Sequence, residues 1–103
     1  MANNVGRSKK TNGASDNHEA HKRAMVTRLR RIEGQIRGIQ GMIAQDSSCE
    51  AVAQQVAAAR RALDRAFYEL IACTMELEIE SAANVGEAKS AGAHVAKLLA
   101  KYG

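Results

Sequence analysis

The chain of 103 residues has no proline and no tryptophan, and it contains only one phenylalanine and two tyrosines. The absence of proline removes the residue that most often kinks or ends a helix. The scarcity of aromatic rings argues against a protein that binds single-stranded nucleic acid by base stacking. Alanine, leucine, arginine, glutamate and glutamine are plentiful, and all five favour helices. The composition therefore predicts an all-α protein.

Signals for membranes and for catalysis are also missing. No apolar run reaches the roughly 18 residues that indicate a transmembrane helix, and the first 17 residues lack the apolar core of a secretory signal. We therefore expect a cytoplasmic protein without a membrane partner, whose two cysteines are reduced. There is no Ser/His/Asp set, glycine-rich phosphate loop or pair of acids in a predicted cleft, so we expect no enzyme.

The polarity of the chain divides it into a tail and one domain. Residues 1–17 are polar and without periodicity, which predicts a disordered basic tail. Residues 18–103 are expected to form a three-helix domain, with the first helix over 18–45 and the second ending near residue 82. Ser47 with Glu50, and Asn84 with Glu87, fit capping boxes that open the second and third helices.

Apolar residues recur in alternating steps of three and four along the first two helices, the spacing of helices packed lengthwise on other helices. The second helix carries this seam at Cys49, Val52, Val56, Ala59, Leu63, Ala66, Leu70, Cys73 and Leu77. The first carries it at Met25, Leu29, Ile32, Ile36, Ile39 and Ile43. Because three helices of one chain cannot bury two full seams, we predict a helical bundle made by dimerisation.

The two cysteines lie on the same seam, 24 positions apart. At a rise of about 1.5 Å per residue, the thiols of one chain are separated by roughly 36 Å. An antiparallel copy of the helix centred on residue 61 would bring Cys49 of one chain opposite Cys73 of the other. Cys49 also falls in the first helical turn, where the macrodipole favours a thiolate able to bind metals. The alternative is that both cysteines are small core residues.

Positive charge is concentrated in the first part of the chain. Residues 1–45 hold nine Lys or Arg against three acids, whereas residues 46–103 hold six against eight. Arginines recur every seven residues at Arg23, Arg30 and Arg37, beside further cations on the same helix. Such rows can follow a phosphate backbone, or they can simply be a solvated helix face. No helix-turn-helix, zinc finger or basic zipper is recognisable.

The histidines are weaker candidate ligands. His18 and His21 precede the basic helix and could reach a metal site, although histidines at a helix start are usually solvent-exposed. His94 is a lone histidine on the third helix, for which a structural role is the usual reading.

Two segments resemble the CsoR/RcnR family of bacterial repressors. They are RLRRIEGQIRGIQGMI at residues 28–43 and QQVAAARRAL at residues 54–63, with Cys49 between them. The resemblance implies an all-α antiparallel dimer that assembles as a dimer of dimers, a homotetramer, and binds operator DNA without a helix-turn-helix. It also implies release of that DNA when a metal ion, formaldehyde or a persulfide acts as inducer.

The resemblance also assigns residues to the inducer site. Cys49 matches the cysteine that sensing members use, and Thr74 and Glu78 stand where copper sensors have a histidine and a second cysteine. Threonine is a poor ligand for a soft ion and glutamate prefers harder ones, so the copper(I) set is incomplete. We predict Cys49, Cys73 and Glu78 as metal ligands, and copper(I) or zinc as the metal. The same two cysteines are the predicted thiol-reactive pair.

For DNA, the resemblance points to arginines at Arg28 and near Arg65. The predicted DNA-binding residues are Arg28, Arg31 and Arg65, supported by Arg30, Arg37 and Arg61.

The favoured function is thus an inducible repressor that binds double-stranded operator DNA and releases it when a metal or thiol-reactive inducer engages a cysteine site between subunits. The alternative is a helical oligomer that carries metal or sulfur and does not bind DNA.

Overall fold

The computed structural model describes the backbone of residues 2–103 and the side chains of residues 17–103. Three helices follow one another: α1 (Ala2–Ala44), α2 (Cys49–Glu80) and α3 (Val85–Tyr102). No strand occurs in residues 2–103, so the predicted all-α class is confirmed. The predicted start of the first helix at residue 18 was wrong, because α1 begins at Ala2. The side chains of residues 1–16 lie outside the described part of the chain, and the division into a tail and a domain stays a prediction.

The chain divides into two compact units, Met1–Ala59 and Arg60–Gly103. In the first unit, Ile32 and Ala59 are buried. In the second unit, the buried apolar residues are Ala66, Ala91 and Val95. Among the described residues no large side chain is fully buried. Each unit therefore has a small core made mainly of short side chains.

The seam of α2 consists of two rows of residues spaced seven apart, and the two rows differ in burial. One row is buried or half-buried: Val52, Ala59, Ala66 and Cys73. The other row is exposed, and we call it the α2 open row: Cys49, Val56, Leu63, Leu70 and Leu77. Its four aliphatic members have between 39% and 50% of their surface accessible. A single chain thus covers only half of this seam.

The seam of α1 divides in the same way. Met25, Ile32 and Ile39 are buried or half-buried. The exposed residues, which we call the α1 open row, are Leu29, Ile36 and Ile43, with 40% to 58% of their surface accessible. Both long helices therefore present an apolar row that their own chain leaves uncovered.

A Schellman motif ends α1. The Ser47 N–H donates to the Met42 carbonyl at 2.9 Å, and the Asp46 N–H donates to the Ile43 carbonyl at 3.1 Å. Asp46 occupies the left-handed region with φ 60°, the position that glycine takes most often in this motif. A side chain is unfavourable in this conformation, although Asp tolerates it better than most residues.

Replacing Asp46 tests this turn. Asp46→Gly is expected to raise the free energy of unfolding by about 0.5–1 kcal/mol, because glycine adopts positive φ without a steric penalty. Asp46→Val is expected to lower it by about 1 kcal/mol or more, because a β-branched residue is strained at positive φ. Urea unfolding followed by circular dichroism at one protein concentration measures both changes. A less stable glycine variant would contradict the expectation.

The first predicted cap was displaced by one residue. Ser48, not Ser47, caps α2: its Oγ accepts from the Ala51 N–H at 3.1 Å. The Ser48 carbonyl also accepts the first hydrogen bond of α2, from the Val52 N–H at 3.0 Å, whereas Ser47 still belongs to the turn that ends α1. At α3 the predicted pair is confirmed, since Asn84 Oδ1 accepts from the Glu87 N–H at 2.9 Å.

Candidate functional site

Cys49 is the first residue of α2 and is held there by the Ser48 cap. Its thiol is free and exposed. The Ser48 hydroxyl accepts from the N–H of Ala51, three residues along the chain. A shift in the start of α2 would break this hydrogen bond. Cys49 therefore sits at a defined helix N-terminus with its sulfur accessible to an external reagent or ligand.

Cys73 has a different environment. It is also free, but it is half-buried and lies in the interior of α2, in the row that its own chain covers. The predicted pairing of Cys49 with Cys73 requires a second copy of the chain, and it stays a prediction.

Thr74 and Glu78 also lie on α2. The Thr74 hydroxyl donates to the Leu70 carbonyl of its own helix at 3.0 Å, which occupies its proton. Glu78 Oε2 lies 2.7 Å from Nδ1 of His94 on α3. The structure thus brings Glu78 into contact with a histidine that was predicted to have only a structural role.

No sequence signal singles out this contact. The two residues are sixteen positions apart on different helices, and no motif or periodicity links them. Glu78 also lines an open groove of about 300 Å³, together with Ser81, Ala82, Glu87, Ser90 and Ala91. Two carboxylates therefore border this groove, with the His94 imidazole in contact with one of them.

The potential metal ligands in the described part of one copy do not lie together as one set. Within residues 17–103 of one copy, no three His, Cys, Asp or Glu side chains are grouped so that they could hold a metal ion. The donors that one copy offers are thiols at Cys49 and Cys73 and the Glu78–His94 pair. Sulfur, imidazole and carboxylate donors together suit a borderline-soft divalent ion such as zinc. The donor types fit a metal ion, although one copy does not group three of them within residues 17–103.

His18 and His21, the weaker candidates, lie on α1. His18 is half-buried and His21 is exposed. The structure places neither of them in a group of three candidate ligands within residues 17–103.

Three arginines meet on α1. Arg23, Arg28 and Arg31 line a second groove of about 300 Å³ with Ala24 and Thr27. Arg28 is half-buried, whereas the other two are exposed. Guanidinium groups around one concavity are suited to bidentate contact with phosphate oxygens. Two of the three predicted DNA-binding arginines are thus brought together.

The other predicted cations are separate from this groove. Arg30 and Arg37 are exposed on α1. Arg61 and Arg65 are exposed on α2, in the second compact unit. Their part in DNA binding stays a prediction.

Comparison with known proteins gives one match. The profile of a family described as metal-sensitive transcriptional repressor matches residues 21–101. No curated protein and no solved structure matches the chain significantly. In the described part of the chain, no helix combines the length and the apolar character needed to cross a membrane.

Proposed function

The chain belongs to the metal-sensitive transcriptional repressor family, the CsoR/RcnR family, and on this basis we propose that it is an operator-binding repressor released by an inducer that engages Cys49. The match over residues 21–101 is the observation that carries the proposal. Membership of a repressor family indicates a regulator that binds DNA and forms oligomers. We propose that this regulator acts in the cytoplasm.

The two open rows support assembly through the long helices. Packing the α2 open row against the same row of an antiparallel copy would cover Val56, Leu63, Leu70 and Leu77 and place Cys49 toward the far end of its neighbour. The α1 open row would remain for a second contact, as a dimer of dimers requires. Exposed apolar rows of this extent are typical of interaction surfaces.

The proposed inducer is a metal ion bound between copies. Cys49 supplies one thiolate, and Cys73 of a second copy could supply another, a set that suits copper(I) or zinc. Because Thr74 replaces the histidine of the copper sensors, the ligands of this chain differ from theirs. Formaldehyde and persulfide, which react with thiols, are the alternative inducers at the same cysteines.

Release of DNA follows from a shift between two forms of the oligomer. An inducer that binds one form more tightly than the other raises the population of that form. We expect the form favoured by the inducer to hold the arginine grooves of its copies at distances that do not match the DNA phosphates. The free energy of operator binding then becomes less favourable by the coupling free energy between inducer and DNA.

A gel shift tests the function as a whole. The full chain is mixed with its own upstream DNA and with a scrambled duplex of equal length, and zinc, copper(I), formaldehyde or persulfide is then added. Retardation of the upstream DNA alone, relieved by at least one agent, is expected of a repressor. A metal or sulfur carrier would bind the agent without retarding either duplex.

The arginine groove makes a separate prediction. Arg28→Ala is expected to weaken operator binding and to reduce the slope of log affinity against log salt by about one for each copy whose Arg28 contacts a phosphate. Lys89→Ala, a change of exposed charge on α3, is the control and should leave the slope unchanged. Fluorescence anisotropy across a salt series measures both. An unaltered slope for Arg28→Ala would remove Arg28 from the interface.

A further inference from the structure

The His94 imidazole lies 2.7 Å from the Glu78 carboxylate, and both residues belong to the second compact unit. Their side chains are 51% and 34% accessible. A side-chain contact so exposed adds little to stability. Stability alone therefore does not account for this contact, and the chemistry of an imidazole beside a carboxylate suggests another role.

We propose that His94 is a metal ligand through Nε2 and that Glu78 orients it. The inference rests on the proposed function, because Cys49 of a second copy is taken as a further ligand. It changes the predicted ligand set: the imidazole comes from α3, and Glu78 acts on the imidazole and not primarily on the metal.

The hydrogen bond determines which imidazole nitrogen is available. A carboxylate accepts hydrogen bonds, so Nδ1 carries the proton that it donates to Glu78 Oε2. The neutral ring then has its lone pair at Nε2. Metal-binding histidines are commonly held in this way, with the second nitrogen donating to a carboxylate that sets the tautomer and the ring orientation.

The surroundings of the pair also favour a cation. Glu78 and Glu87 both line the adjoining groove of about 300 Å³, which adds negative charge and leaves room for a second chain to approach. Thr74 takes the position of the histidine in copper sensors, and its hydroxyl proton is used by the Leu70 carbonyl. The imidazole that contacts this end of α2, at Glu78, is therefore that of His94.

The donor set predicts the class of metal. A set that mixes a thiolate with an imidazole suits zinc or cobalt(II) better than copper(I), which prefers a set of soft sulfur ligands. The inferred ligand is therefore a borderline-soft divalent ion.

The experiment measures zinc affinity of the full-length protein by competition with a chromophoric chelator, and cobalt(II) binding by absorption spectroscopy. His94→Ala and Glu78→Gln are compared with Lys97→Ala and Glu80→Gln, which change exposed charges on the same two helices. His94→Ala should lower zinc affinity by about tenfold or more, and Glu78→Gln by about 10- to 100-fold. Each control should leave the zinc affinity close to that of the wild type, because neither residue contacts His94 or Glu78 through a described hydrogen bond.

The cobalt spectrum separates this inference from the proposed function. Cys49→Ala should remove the sulfur-to-cobalt charge-transfer band, whereas His94→Ala should keep that band and alter the ligand-field bands. If His94→Ala and Glu78→Gln both bind zinc and cobalt as the wild type does while Cys49→Ala does not, the inference is wrong and the cysteine site stands. If only the His94 and Glu78 variants lose affinity, His94 is a ligand and the Cys49 site is wrong. Circular dichroism of each variant confirms that affinity is compared between folded proteins.

Discussion

The Cys49→Ala variant is expected to bind operator DNA with wild-type affinity. It should remain bound at inducer concentrations at which the wild-type protein releases the DNA. The thiol is exposed at the first residue of α2, so its removal leaves no buried cavity and no lost cap. The arginines that line the α1 groove are not altered by the change. The ratio of operator affinities without and with inducer should therefore fall from its wild-type value to about one, since coupling requires a ligand that distinguishes the two forms.

Anisotropy titrations with and without inducer measure this ratio. Ala53→Ser, at an exposed position of the same helix, serves as the control and should respond as the wild type. Cys73→Ala shows whether a second thiol takes part: loss of the response supports the cysteine pair, and a retained response leaves Cys49 acting without Cys73. Release of DNA from Cys49→Ala by every agent that releases the wild type would refute the cysteine site.

Leu63→Asp is expected to dissociate the oligomer and to abolish operator binding. Leu63 is in the middle of the α2 open row with 46% of its surface exposed. An antiparallel pair that packs this row on itself is centred on Leu63 and brings the two Leu63 side chains together. Each buried leucine contributes about 1.5–3 kcal/mol. Because a single copy already covers about half of Leu63, dimerisation gains roughly half of that value for each side chain. Losing two of them raises the dimer dissociation constant by about tenfold to a hundredfold, before repulsion of the two carboxylates is counted.

Sedimentation equilibrium over a range of protein concentrations measures the association. Ala72→Asp introduces the same charge at an exposed position nine residues along α2, about half a turn away around the helix, and should leave the oligomer intact. A Leu63→Asp protein with the mass and DNA affinity of the wild type would show that the α2 open row does not form the interface.

The helices and most of their ends could be predicted from the sequence because their signals are local. Heptad spacing and the absence of proline predict α2 and the later part of α1, and the Asn84 cap predicts the start of α3. The start of α2 was misplaced by one residue because two adjacent serines compete for the cap. Ser48 is the cap because its carbonyl accepts the first hydrogen bond of α2, whereas Ser47 still belongs to the turn in which Asp46 ends the preceding helix.

The candidate site was less accessible to sequence reasoning. The spacing of the α2 seam identifies its apolar members, but it does not show which row the chain covers, because covered and open rows have the same periodicity. Leu63 and Ala66 are three positions apart on the same seam, yet Leu63 is exposed and Ala66 is buried. The Glu78–His94 contact was missed because it depends on the crossing of two helices, which no local pattern encodes.

The small core has a consequence for the life of the protein in the cell. Within residues 17–103 the buried apolar residues are Ile32, Ala59, Ala66, Ala91 and Val95. Folding of a single copy therefore buries little apolar surface, and we expect its stability to depend on association with a second copy. Its melting temperature should rise with total protein concentration, as mass action requires. Scarce copies should also be degraded faster by proteases, which act on the open form. The rate of degradation would then depend on the concentration of the protein, because associated copies are protected and single copies are not.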